Sequence, residues 1–155
     1  MKPRTRARSV ALQVLYEIDI TQHLPGEALQ NRLEETALTE DLAEFARQII
    51  FGVLPIREIL DQYIAEHASD WPIDQVAIID RNILRIALWE IALFSDTPMK
   101  VAINEAIELA KIFGSDNASR FVNGVLGALV ERENEIRQRL KAHQLAAQGP
   151  TETGE

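Results

Sequence analysis

The chain of 155 residues contains no cysteine. This absence excludes a disulfide scaffold, a thiolate zinc site, an iron–sulfur cluster and a cysteine nucleophile. The seven glycines are scattered and form no glycine-rich loop that could cradle a phosphate. The three histidines, His23, His67 and His143, lack metal-ligand spacing, and pairs of carboxylates such as Glu105 and Glu108 are interpreted as solvated helix faces. We therefore expect no metal, no cofactor and no enzymatic activity.

No long uninterrupted hydrophobic run is present. The most apolar segment, residues 76–94, is broken by charged side chains, among them Asp80, Arg81, Arg85 and Glu90, so it is not expected to span a membrane. The basic N-terminus is not followed by an apolar run of signal-peptide length. These features predict a soluble, cytoplasmic protein.

Positive charge is scarce except at the N-terminus. The chain carries 16 basic and 24 acidic side chains, a net charge of −8. Four of the basic residues lie within residues 1–8, so the remaining 147 residues hold 12 basic and 24 acidic side chains, a net charge of −12. A basic segment on an acidic body indicates a polyanionic partner or a membrane surface.

The four N-terminal cations, Lys2, Arg4, Arg6 and Arg8, are spaced by two residues. In an extended chain this spacing places all four on one side, and Pro3 with the nearby chain end favours a mobile basic arm over residues 1–8. Arginine suits phosphate because its planar fork donates two parallel hydrogen bonds, and such arms become ordered on RNA. The alternative is a terminus that only aids solubility.

The spacing of apolar residues predicts helices throughout, and hence an all-α fold of about six or seven helices. We expect a helical domain over residues 5–142, without a linker long enough to separate two domains. Gly52 and Pro55 should kink or divide one of its segments. The apolar-poor tail, residues 144–155, is predicted to be disordered. The predicted helices cover residues 5–20, 25–37, 39–68, 73–94, 99–113 and 115–142.

The first helix presents a polar stripe opposite its apolar face. At 100° per residue, Ser9, Gln13 and Tyr16 lie within about 60° of one another, and Arg6 joins them if the helix begins early. A cation, an amide and an exposed ring can recognise unpaired bases by stacking and hydrogen bonding. Alternatively, Tyr16 packs on a neighbouring helix and only its hydroxyl meets water.

A second candidate lies in the turn formed by residues 113–121. It offers backbone N–H groups at a helix start, which suit a phosphate, together with small polar side chains, Arg120 and the ring of Phe121. The alternative is a capped helix with Phe121 in the core.

Three blocks of the sequence together resemble the NusB family of bacterial transcription antitermination factors. They are RARSVALQVLY (6–16), RNILRIALWEI (81–91) and PMKVAINEAIELAKIFGSDNASRFVNGVL (98–126), and the resemblance extends over nearly all of residues 2–130. It implies an all-helical fold of two small bundles. It also implies binding to the box A element of nascent ribosomal or phage RNA, and pairing with the small-subunit ribosomal protein that acts as NusE in the RNA polymerase elongation complex.

The resemblance also implies which residues act. The protein partner in the family docks largely on the fourth-helix region, which corresponds to Asp74 and Asp80 here, and an acidic patch suits a basic ribosomal protein. The residues implied in RNA binding are Lys2, Arg4, Arg6, Arg8, Gln13, Tyr16, Ser115, Asn117, Ser119 and Phe121.

Other functions are also compatible with the sequence. The chain could be a helical protein–protein interaction module, for example a homodimer that buries the surface of the first helix. It could also be an accessory RNA-binding domain of a ribosomal RNA methyltransferase system, since a related domain precedes the catalytic domain of some of these enzymes. A helix-turn-helix DNA binder is disfavoured, because no basic recognition helix is visible.

Overall fold

The structure, a computed structural model, describes residues 1–68 and 75–148. Over these ranges it is built from α-helices and short 3-10 turns without strands, which confirms the all-α prediction. No helix in the described ranges has the length and apolar character needed to cross a membrane. The eight α-helices are α1 (Pro3–Ile20), α2 (Pro25–Glu35), α3 (Glu40–Val53), α4 (Arg57–His67), α5 (Ile78–Leu93), α6 (Met99–Phe113), α7 (Ala118–Leu129) and α8 (Glu133–Gln148).

The helices pack as two groups that share one core. Helix α1 packs against α2 and α3, whereas α6, α7, α8 and α4 surround α5. Helix α5 also contacts α1 and α3, so it lies between the two groups. All but the first few and the last of its residues are buried, as expected for a helix that is apolar around most of its circumference.

Most helix boundaries follow local signals. Thr39 caps α3 by accepting a hydrogen bond from the backbone N–H of Leu42, so this helix begins next to the predicted start at residue 39. Pro55 lies in a 3-10 turn, Leu54–Ile56, that divides the predicted helix 39–68. A second 3-10 turn, Val130–Arg132, divides the predicted helix 115–142 in the same way.

Two predicted boundaries are wrong. Helix α5 begins at Ile78 rather than at residue 73, and residues 69–74 lie outside the described part of the chain. Helix α8 continues to Gln148, so residues 144–148 of the predicted disordered tail are helical. Residues 149–155 are also outside the described ranges.

The predicted extended arm at residues 1–8 is also wrong. Helix α1 begins at Pro3. Proline suits a first helical turn because its ring fixes φ at a helical value, and because an N–H at that position would have no acceptor within the helix. Thr5 and Arg8 are buried, and both bind carboxylates of other helices. These tertiary contacts hold the basic segment in a helix.

A buried arginine connects three helices. The Arg85 guanidinium on α5 donates two hydrogen bonds to Asp61 on α4, from Nε at 2.8 Å and from Nη2 at 2.7 Å. Its Nη1 donates to Asp19 on α1 at 2.8 Å. Burial alone would lower the pKa of Arg85, but the hydrogen bonds and charges of Asp61 and Asp19 raise it by a larger amount. The pKa of Arg85 is therefore raised above its usual value. Arg85 is therefore a permanently charged bridge between both helix groups.

Candidate nucleic-acid interface

The four N-terminal cations do not share one side of the molecule. Arg8 is only 2% exposed and forms ion pairs with Glu90 and with Glu105, which also accepts a hydrogen bond from Thr5 Oγ1 at 2.5 Å. Arg8 therefore cannot reach a phosphate without unpairing two carboxylates, so the expectation that it is exposed on one side with the other three cations is wrong. The physical reason is helical periodicity, because a spacing of two places alternate cations about 200° apart on a helix.

The other three cations are exposed but diverge. The Arg4 guanidinium lies over the ring of Phe45, 4.2 Å from its centroid, in cation–π geometry. Lys2 lies beside α6, in a depression that is also lined by Glu105 and Glu108. Arg6 is on the side of α1 that carries Gln13 and Tyr16. Within the described ranges no acidic side chain forms a salt bridge with these three cations.

Tyr16 points outwards, as the helical period predicts, and is 38% exposed. It borders a depression of about 370 Å³ that is shared by α1, α2, α5 and the end of α6. Gln13 beside it is half-buried, donates to the Ser9 carbonyl and accepts from Arg32 Nη1 at 3.1 Å. Ser9 is buried, so it does not extend the exposed stripe. The residues that line the depression are Gln13, Tyr16, Glu17, Ile20, Arg32, Ile79 and Phe113.

The turn between α6 and α7 borders a second cavity, of about 220 Å³. Ser115 and Asn117 are exposed, whereas Ser119 and Phe121 are partly buried. Asn117 precedes α7, but its side chain forms no capping hydrogen bond. The first backbone N–H groups of α7 therefore have no side-chain acceptor from this residue. The cavity is lined by Gln75, Val76, Ala77, Asp80, Ser115, Asn117, Ala118 and Phe121.

Glycine is required at position 114, which precedes this turn. A Cβ there would lie 2.4 Å from the Ala118 Cβ and 2.8 Å from the Ala110 carbonyl oxygen. No side chain fits at these distances, so the small residue lets the end of α6 approach the start of α7. Ser115 and Ala118, which lie beside this close approach, both line the second cavity.

Residues that are close together in the chain line both depressions. Ile79 lines the first and Asp80, its neighbour in α5, lines the second. Likewise, Phe113 at the end of α6 lines the first, and Ser115 lines the second. The structure therefore places Gln13 and Tyr16 at the first depression and Ser115, Asn117 and Phe121 at the second, and we call the two depressions together the α1–α7 surface.

Of the two residues expected to dock a protein partner, Asp80 lies within the described part of the chain. Asp80 is 7% exposed and belongs to the cavity beside Phe121. Burial raises the pKa of its carboxyl group. Asp80 is thus buried rather than part of an exposed acidic surface, and its role in docking a protein partner stays a prediction. Asp74 lies outside the described residues.

Sequence reasoning missed several residues that shape the α1–α7 surface. Phe113 and Arg32 lie beside Tyr16 and Gln13, although neither was a candidate. Glu105, expected to be solvated, is buried against Arg8. Its partner is 97 residues away in the chain, so no local pattern could reveal the pair. Among the described residues, no group of three or more histidine or acidic side chains is arranged to hold a metal ion.

Comparison with known proteins identifies the family. The family model of NusB matches residues 5–131. The chain belongs to the NusB family. Transcription antitermination protein NusB of Roseiflexus sp. (strain RS-1) is 47% identical over 137 residues, which are 87% of this chain and 96% of that protein.

Solved structures of NusB share this fold. T. maritima NusB has a TM-score of 0.74 at 30% identity, covering 88% of this chain and 92% of that one. A crystal structure of antitermination factors NusB and NusE in complex with double-stranded RNA contains a chain with a TM-score of 0.74 at 28% identity. That match covers 90% of this chain and 98% of the other. The α1–α7 surface is thus built on a NusB fold.

Proposed function

We propose that this protein is a non-catalytic, RNA-binding transcription antitermination factor that binds single-stranded box A-type RNA of nascent ribosomal transcripts together with the ribosomal protein NusE. The observation that carries the proposal is the α1–α7 surface, where exposed or half-exposed aromatic rings lie beside amide and hydroxyl groups. Membership of the NusB family supports the antitermination function, and the solved complex of a related NusB with NusE and double-stranded RNA supports RNA and NusE as partners.

The arrangement suits unpaired bases. A base that is released from a duplex can stack on an aromatic face, and its hydrogen-bonding edge then becomes available to side chains. Tyr16 and Phe121 border separate depressions on the same surface, so they can hold different bases of one strand. Duplex RNA hides these base faces, which is why we propose a single strand as the ligand.

Three side chains near the N-terminus supply positive charge for the RNA backbone. Lys2, Arg4 and Arg6 are exposed on the first two turns of α1 or just before them, and Arg6 lies on the side that carries Tyr16. Arg120 is exposed in the first turn of α7, next to Phe121. The body of the protein is acidic, so we infer modest affinity for RNA alone. A basic ribosomal protein would then add attraction and contact area.

The decisive experiment is an RNA titration by fluorescence anisotropy, with and without purified NusE. A box A-like oligomer is compared with a scrambled oligomer of the same composition. We expect the box A-like oligomer to bind more tightly, and NusE to increase this difference. Equal affinity for both oligomers in the presence of NusE would contradict the proposal.

The interaction-module alternative is tested in the same samples. If two copies of the chain cover the α1–α7 surface, light scattering should show a dimer, and RNA should fail to bind or should dissociate it. A monomer that binds RNA supports the proposed function.

A further inference from the structure

A series of hydrogen bonds between α1 and α2 fixes the side-chain amide of Gln13. Arg32 Nη1 on α2 donates to Gln13 Oε1 at 3.1 Å, and Gln13 Nε2 donates to the Ser9 carbonyl at 3.1 Å. These two contacts identify the amide atoms, because a reversed amide would set its NH2 group against the guanidinium and its oxygen against the carbonyl. The orientation of Gln13 therefore depends on a residue 19 positions away in the chain.

Arg32 is itself held in place for this contact by Glu17 on α1. Glu17 Oε1 accepts a hydrogen bond from Arg32 Nη2 at 3.4 Å, and the side chains of Arg32 and Glu17 are only 28% and 21% exposed. The other oxygen of this carboxylate lies 2.6 Å from His23 Nδ1. The guanidinium thus uses one nitrogen for Gln13 and another for Glu17, which suits its planar fork.

This arrangement leaves one hydrogen-bond donor beside Tyr16. An amide nitrogen carries two hydrogens, and within the described ranges only one of those on Gln13 Nε2 donates to the protein. Gln13 and Tyr16 line the same depression, together with Arg32 and Glu17. Because the charges of Arg32 and Glu17 cancel, the depression favours an uncharged base over a phosphate. A base that stacks on Tyr16 offers acceptor atoms at its edge.

We propose that Arg32 is a positioning residue for RNA binding, which holds the Gln13 amide so that its second N–H donates to an acceptor on the base at Tyr16. This inference rests on the RNA-binding function proposed above. Arg32 acts through Gln13 and does not contact the RNA. A freely rotating glutamine would have to be ordered when RNA binds, and the contact with Arg32 removes that conformational cost in advance.

The test is a double-mutant cycle on RNA affinity. The full chain is titrated in the presence of NusE with a box A-like oligomer, as wild type, Arg32→Lys, Gln13→Ala and the double variant. Arg32→Lys keeps the charge that balances Glu17, but a lysine ammonium lacks the planar fork. The matched control is Arg47→Lys, which makes the same change in an exposed pair with Glu44 and lines neither depression.

We expect Gln13→Ala to weaken RNA binding roughly three- to tenfold, as for the loss of one hydrogen bond. Arg32→Lys should weaken binding about threefold in the wild-type background and should have no further effect beside Gln13→Ala. Arg47→Lys should bind as wild type does. Circular dichroism should show that every variant is folded.

A second variant tests the donor directly. Gln13→Glu can still accept from Arg32 but has no N–H to donate, so it should weaken binding at least as much as Gln13→Ala. Its matched control is Gln48→Glu, which adds the same charge at an exposed position of α3 and should have a much smaller effect.

Other outcomes overturn the inference. Equal weakening by Arg32→Lys in both Gln13 backgrounds would show that Arg32 contacts RNA itself or only supports the fold. Wild-type affinity of Arg32→Lys would show that positive charge alone suffices, and wild-type affinity of Gln13→Glu would show that the amide donates nothing. In these cases the wild-type protein still binds RNA, so the proposed function survives. If no RNA binds even with NusE present, the proposed function fails as well.

Discussion

Arg8 on α1 and Glu90 on α5 meet in a two-point ion pair in which both N···O distances are 2.8 Å. Their side chains are 3% and 1% exposed, so the pair is almost completely shielded from water. A planar guanidinium and a carboxylate match in this geometry, which fixes the angle at which α1 meets α5. Glu105 on α6 completes the cluster, so one cation holds three helices together.

Arg8→Ala should destabilise the protein by roughly 3–5 kcal/mol, because it leaves two buried carboxylates without a cation. The free energy of unfolding, measured by urea titration, tests this expectation. Arg6→Ala is the matched control, since Arg6 is exposed and forms no ion pair with the described residues. An equal loss of stability in both variants would contradict the assignment.

Arg85→Lys should also destabilise the protein, by about 2 kcal/mol. A lysine ammonium cannot reproduce the two parallel hydrogen bonds to Asp61 while it also reaches Asp19. Thermal unfolding followed by circular dichroism measures the effect. Arg47→Lys, which alters an exposed i, i+3 pair with Glu44, serves as the control and should be nearly neutral. Unchanged stability of Arg85→Lys would show that charge alone suffices at this position.

Tyr16→Ala should weaken RNA binding by roughly 1–3 kcal/mol, the loss of one stacked base, while helicity stays intact. Tyr16→Phe should retain most of the affinity because the ring remains. Phe51→Ala removes an exposed ring on α3 that lines neither depression of the α1–α7 surface, and should not change RNA affinity. A titration curve for Tyr16→Ala that matches wild type would remove Tyr16 from the binding site.

Salt dependence counts the phosphate contacts. When the logarithm of the affinity is plotted against the logarithm of the salt concentration, four N-terminal cations would give a slope of about −3 for a single strand. Burial of Arg8 leaves three cations, for which we expect a slope of about −2. Arg6→Gln should make the slope less steep by about 0.7. Affinity measured at several salt concentrations tests both values, and a slope near −3 in wild type would indicate an additional contact, for example from Arg120.

The parts of the fold that depend on local signals were predictable. Helix α6 has the predicted bounds, because Pro98 precedes its first residue and Gly114 follows its last. The Thr97 hydroxyl forms no capping hydrogen bond with α6 and is buried without a partner among the described residues. Tyr16 faces outwards because the apolar face of α1 fixes the rotation of the helix.

The parts that depend on distant partners were not predictable. Whether residues 3–8 form an arm or a helix is decided by Glu90 and Glu105, more than 80 residues away in the chain. The position of Asp80 likewise depends on how closely α6 and α7 approach each other at Gly114. In both cases a charge pattern suggested an exposed group, whereas tertiary packing buried it.

The beginning of α1 serves two purposes at once, since Arg6 faces outwards while Thr5 and Arg8 anchor the helix to α5 and α6. Proteolytic removal of the first eight residues would therefore abolish RNA binding by unfolding the protein. It would not simply reduce the affinity for a transcript. A tag joined ahead of Met1 leaves Thr5 and Arg8 in place. We therefore expect a tagged protein to remain folded, whereas a protein that lacks the first eight residues should unfold.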